Sequence, residues 1–224
     1  QVFVTGGVGP GVTSSLFQTV YDQDFTLQTA NAVMDMTVGL FYSGSTVASA
    51  SSGVDSTGKL LFPSQTLMMR EKVDIYKQFA QTLLGDANKA FYAPFEEVEA
   101  STAVTNNTNR INEALFIPVK RLFHRDQIKR ETFAARLYAT ASTDAGIPNI
   151  GVTTVSGSGI YTDFGSSVNR RTTFGSEVGD LVDSSNTDRK VGNIFYDAGV
   201  VVLDMSKVFD SSQSISGTID AMSL

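Results

Sequence analysis

Serine and threonine supply about a fifth of this chain, and 19 glycines are spread among them. Short hydroxyl side chains compete for backbone hydrogen bonds and glycine adds conformational freedom, so neither sustains long helices. The texture is that of short strands and turns, not of a helical bundle. At 224 residues the chain can bury about 70% of its unfolded surface, so a core needs no covalent staple. Cysteine is absent, which removes disulfides, thiolate metal sites and a cysteine nucleophile. Tryptophan is absent too.

One stretch departs from that texture. In LFPSQTLMMREKVDIYKQFAQTLLGD, residues 61–86, Pro63 and Ser64 mark an entry and Gly85 sits where a left-handed C-terminal cap belongs. Between them Leu67, Glu71, Ile75, Phe79 and Leu83 recur every four residues, with Met68, Tyr76, Ala80 and Leu84 alongside. The spacing predicts one long amphipathic helix over about residues 65–84, packed on a sheet by its Leu67, Ile75, Phe79 and Leu83 stripe.

The rest reads as strands and loops. Within residues 27–42, Met34, Met36, Val38 and Leu40 alternate with Val33, Asp35, Thr37 and Gly39, which is strand spacing. Residues 43–58 and 96–109 read as loops. Asn112 to Phe123 reads as a strand whose Pro118 suits an edge or a bulge, with Glu131 to Ser142 as its partner. In NIFYDAGVVVLDMSKVF, residues 193–209, two apolar runs are split by Asp197-Ala198-Gly199, a hairpin signature. The expected class is α+β, a β-rich mixed domain. Residues 1–15 form an extended N-terminal arm and 16–142 an α+β core. Residues 143–224 form a Ser/Gly/Thr-rich β region with the C-terminal hairpin, within the same domain.

Several chemistries find no support. A net charge of −6 and a pI near 4.8 argue against direct nucleic-acid binding. Apolar runs such as Ala198 to Leu203 fall short of the roughly 18 residues that a membrane helix needs. The first residues lack an initiator methionine and a signal-peptide layout, which points to a removed leading segment or a longer parent chain. GGVGPG lacks the following Lys-Ser/Thr of a phosphate cradle. The pairs Asp22/Asp24 and Asp183/Asp188 lie in turn-like contexts without the aromatic platforms of a glycosidase. His124 is the only histidine, so neither a catalytic base with partners nor a metal set is expected, and no cofactor.

One charge asymmetry remains. Lys120, Arg121, Arg125, Lys129 and Arg130 surround His124 in KRLFHRDQIKRE. Two readings stand, a solvated face and a salt-bridged contact with another subunit. On the second, Arg121, His124, Arg125, Lys129 and Arg130 are contact residues. The apolar run Val2, Phe3, Val4 offers another contact, a strand added to a neighbour's sheet edge, with folding back on its own sheet as the alternative.

Three stretches together carry a resemblance: LMMREKVDIYKQFAQTLLGD, FIPVKRLFHRDQIKRETFAARL and NIFYDAGVVVLDMSKVF. They resemble a large virion structural protein of contractile-tailed cyanophages and related marine phages. The matching residues are Ile75, Tyr76, Gln78, Ala80 and Gly85 in the first stretch. In the second they are Arg121, Leu122, Asp126, Ile128, Lys129, Thr132 and Phe133, and in the third Phe195, Tyr196, Ala198 and Gly199. The resemblance implies a non-enzymatic subunit of the contractile tail or baseplate, assembled in the host cytoplasm. Its partners would be other virion structural subunits and copies of itself. A neck or capsid role, or a tail-associated carbohydrate-binding module or hydrolase, stands as the alternative.

Overall fold

The computed structural model describes residues 3–4, 17–24, 26–43, 46–47, 66–96, 109–138, 158–174 and 176–208. The elements among them run β1 (Phe3–Val4), β2 (Phe17–Tyr21), β3 (Ala32–Leu40), β4 (Tyr42–Ser43), β5 (Thr46–Val47), α1 (Thr66–Leu84), β6 (Glu113–Pro118) and α2 (Arg121–His124). They continue with β7 (Ala134–Tyr138), β8 (Ser158–Thr162), β9 (Arg171–Thr172), β10 (Glu177–Asp183), β11 (Asn186–Phe195), β12 (Val200–Asp204) and α3 (Met205–Val208). Ten strands make one sheet in the order β1-β2-β3-β6-β12-β11-β10-β8-β7, with β9 also on β10 and β4-β5 as a separate ribbon. The sheet is antiparallel and curls into a half-barrel. The architecture is β-rich with few helices and fits a mixed α+β class only loosely.

Alternation explains why β6 and β12 lie at the centre. Successive strand residues face opposite ways. Ala114, Phe116, Val200 and Val202 join the core on one face; Leu115, Ile117, Val201 and Leu203 join the core on the other. Both faces are covered, so β12 reads as a continuous apolar run up to its last residue, Asp204, as strands buried on two sides do. The expected hairpin is present: β11 and β12 pair from Phe195 opposite Val200 to Gly192 opposite Leu203.

Helix α1 lies on the first of these cores. Its fully buried positions are Lys72, Ile75, Tyr76, Ala80, Leu83 and Leu84, while Glu71 and Phe79 are half-buried. The inward face thus keeps Ile75 and Leu83 of the expected row together with Tyr76, Ala80 and Leu84 alongside it, while the side chains of Leu67 and Met68 lie outside those described. Phe79 still stacks on Phe116 at 4.2 Å between centroids, and burial lowers the Lys72 ammonium to about 8. Gly39 permits this approach, because a Cβ there would lie 2.9 Å from Tyr76 Cβ. Gly85, with φ +78°, takes the left-handed cap expected of it.

Three expectations are corrected. Asn112 to Phe123 is not one strand: it ends at Pro118, and residues 121–124 turn helical. Glu131 to Ser142 does not partner it; β7 pairs with β8, while β6 sits between β3 and β12. Pro118 is consequently no edge residue. The β3 register would set it opposite Asp35, where it has no N–H to give, and the pairing lapses there between Thr37–Phe116 and Met34–Val119. Phe3 and Val4 take the folding-back alternative. They pair with Tyr21 and Val20 of β2, an edge tethered close by in the same chain. Val2 and the rest of the expected arm lie outside the described residues, as do residues 139–157 and 209–224.

Acid pairing marks the far end of the central strands. Burial, then the charge of Asp204, raises the Glu113 carboxyl above its ordinary value, and burial also raises Asp204. A carboxyl raised in the folded state holds its proton more tightly there than in the unfolded chain. Its stabilising contribution is complete below the unfolded value, about 4.3 for glutamate, and is lost as pH rises through the folded value. Glu113→Gln is therefore expected to raise the melting temperature by a few degrees at neutral pH, and to leave it unchanged at about pH 3. Thermal melts at the two pH values check this; an equal gain at both would exclude ionisation as the cause.

Candidate interaction surface

After β6 the chain is fastened at several points before it reaches β7. Val119 N–H donates to Gly199 O and Lys120 N–H to Val33 O, both at 2.8 Å. The Lys120 ammonium pairs with Asp35, whose other oxygen accepts from Thr19 Oγ1 at 2.9 Å. Then α2 makes a single turn, closed by Arg125 N–H to Arg121 O at 2.8 Å. His124 turns inward over the β11–β12 turn. A Cβ at Gly199 would lie 2.5 Å from His124 Nε2, so glycine is needed there both for its φ of +67° and for this contact. Among the described residues the buried His124 Nδ1 has no hydrogen-bond partner.

The second half of the segment is clasped more firmly. Ile128 N–H donates to Tyr196 O at 3.0 Å. The Arg130 guanidinium lies 4.4 Å over the Tyr196 ring, pairs with Glu177 and donates to Ser166 O at 3.3 Å. Asp163, only 1% exposed, gathers three donors: Glu131 N–H at 2.7 Å, Phe133 N–H at 3.1 Å and Tyr196 O–H at 2.9 Å. Burial pushes the Tyr196 phenol well above its usual value, so it stays protonated and donates. Among the described non-glycine residues only Arg125 and Glu131 have positive φ, 55° and 58°, and both lie here. Each such residue costs about 1–2 kcal/mol. The clasp offsets that strain and holds the segment in one shape.

What this leaves facing water is a cationic and apolar surface. Leu122 is 69% exposed and Phe123 44%. Arg121, Arg125 and Lys129 are exposed beside them, with no ion-pair partner among the described residues. Of the expected contact residues, then, Arg121, Arg125 and Lys129 face outward while His124 and Arg130 are committed within the chain. Phe3 and Val4 lie elsewhere, on an edge strand of the sheet. Sequence reasoning missed Asp163, Tyr196 and Glu177 as the anchors. It also placed Leu122 and Phe123 inside a strand; a helical turn after a proline was the signal available for them.

Among the described residues no three histidine, aspartate or glutamate side chains converge as a metal set would. No described helix is long and apolar enough to cross a membrane. Comparisons with protein-family models, with curated proteins and with solved structures find no match.

Proposed function

We propose that this chain is a structural subunit of a contractile-tailed phage particle, a component of the tail or baseplate that acts through contacts with other subunits. The observation that carries the reading is the exposed cationic and apolar surface at Arg121, Leu122, Phe123, Arg125 and Lys129. Aromatic side chains and arginine are the residue types that protein interfaces favour. The resemblance adds to it, because two of its three sequence blocks meet at this place. His124, Ile128 and Arg130 of the second block all touch Tyr196 or Gly199 of the third.

In this reading the chain is not an enzyme and needs no cofactor. It contacts neither nucleic acid nor membrane directly, and resides in the virion. The fold is taken as an α+β variant in which α1 serves as a long amphipathic helix on the sheet, supported by buried Tyr76 and Ala80 against exposed Asp74 and Gln78.

The reading is tested by locating the chain in reconstructed particles and by complementing a deletion with Arg121→Glu/Arg125→Glu. The double variant should still fold, with a cooperative melt, yet enter particles at least tenfold less well. Normal incorporation, or particles that lack the wild-type chain, would overturn the reading. Density in the neck or capsid would keep the structural role and move its address.

A further inference from the structure

The cationic surface has an acidic neighbour at the same end of the sheet. Residues 22–31 connect β2 to β3, and β3 begins at Ala32. Because Lys120 N–H bonds Val33 O and the chain there runs antiparallel to β3, α2 emerges at the same end of the sheet as that connection. The connection's described residues are tied together by hydrogen bonds. Asp22 accepts from Asn31 N–H at 2.7 Å and from Asn31 Nδ2 at 3.1 Å, and Asp24 accepts from Thr26 N–H and Oγ1 at 3.0 and 2.8 Å. These bonds hold both carboxylates below their ordinary values, so they stay charged. At its tip Leu27 is 52% exposed.

Two patches of opposite charge thus lie at the same end of the sheet, each with exposed apolar surface: Asp22, Asp24 and Leu27 on one, Arg121, Arg125, Leu122 and Phe123 on the other. Asp126 is the one acidic residue within 120–130. A surface that carries both halves of a complementary pair is suited to itself. Rotated by a two-fold axis, the acidic half of one copy meets the basic half of the next, and the reverse contact forms at the same time.

We propose that this end of the sheet is an isologous interface with a second copy of the chain, its 22–31 connection seated against α2 of the partner and the partner's against its own. The proposal rests on the reading of residues 121–129 as a contact surface and names its occupant. It is independent of which particle the assembly enters.

The test measures the mass of the purified full chain in solution by light scattering and sedimentation. The wild type should be a dimer at low salt that weakens as ionic strength rises, since exposed charges are screened beyond about 10 Å at 0.1 M. Arg121→Glu/Arg125→Glu should weaken the dimer at least tenfold, and so should Asp24→Lys/Gln28→Lys, which leaves the Asp22 clasp intact. Each variant alone then carries like charges on both halves. Mixed together they should form a heterodimer, which only the reciprocal geometry allows.

Melting curves confirm that each variant is folded. Should the acidic-side variant not fold, combining Arg121→Glu/Arg125→Glu with Gln28→Lys alone must restore part of the lost affinity. A wild type that stays monomeric, a dimer indifferent to both reversals, or folded variants that do not pair on mixing would each overturn the proposal. If the solution dimer behaves as described but the chain is missing from particles, the pairing stands and the particle role fails. If the chain enters particles but forms no dimer in solution, the particle role stands and the pairing fails.

Discussion

Tyr76→Ala is expected to lower the unfolding free energy by about 4 kcal/mol or more, a large share of the 5–15 kcal/mol typical of a domain. The residue is 1% exposed, and its ring lies 5.4 Å from Phe41, 5.4 Å from Phe91 and 5.8 Å from Phe116 between centroids. Its hydroxyl does a second task. Ile111 N–H donates to Phe91 O directly at 2.8 Å, but the reciprocal bond of that pair is missing. Tyr76 O–H stands in its place, accepting from Phe91 N–H and donating to Ile111 O, both at 2.8 Å.

Burial raises the phenol far above its usual value, so the proton that bridges to Ile111 is always present. Tyr76→Phe keeps the ring and strands one buried donor and one buried acceptor, at a cost of about 1–3 kcal/mol. Urea unfolding of both variants at unchanged slope separates packing from bridging. A phenylalanine variant as stable as the wild type would show that the bridge contributes nothing.

This centre was partly legible because its signals are local. Gly85 after an apolar, periodic stretch states where α1 stops, and Gly199 between two apolar runs states where β11 turns into β12. Neither depends on distant residues. The buried face of α1 was legible too, through Ile75, Tyr76, Ala80, Leu83 and Leu84, except at Lys72. Lysine carries a charge, which gives no signal for burial, but its long aliphatic stem can be buried.

Strand partners were not legible. Alternation shows that residues near 115 and 135 are strands; it says nothing about which edge receives them. Strand β7 lies two places from β10 and far from β6, a choice set by register and packing across the whole half-barrel. The candidate surface shared this difficulty. Its cations were evident as a run, but which of them face outward depends on Tyr196 and Glu177, more than forty residues away. Arg130 and His124 look like Arg121 and Arg125 in the sequence and differ only in what lies beneath them.

Asp163→Ala is expected to release that segment from the sheet and to lower stability by about 3 kcal/mol or more. No other described side chain accepts from both Glu131 and Phe133 N–H, and the same carboxylate takes the Tyr196 proton. Removing it leaves three buried or half-buried donors without an acceptor. Glu131 also loses the bond that offsets its positive φ. Asp163→Asn is a milder loss: one oxygen can still accept, while the new amide nitrogen confronts a donor with a donor.

The effects should be ranked in place as well as in size. Hydrogen exchange should show amide protection falling first at Ile128, Glu131 and Phe133, while Val201 and Val202 in the central strand keep theirs until global unfolding. Tyr196→Phe removes one of the three bonds and should fall between wild type and Asp163→Ala. If Asp163→Ala melts like the wild type and protects Glu131 and Phe133 equally well, the segment is held by Arg130 and the Ile128 bond alone. In the expected case, the exposed arginines lose their fixed spacing although none has been touched. Any contact that depends on Arg121 and Arg125 should then weaken through a residue buried beneath the surface that makes it.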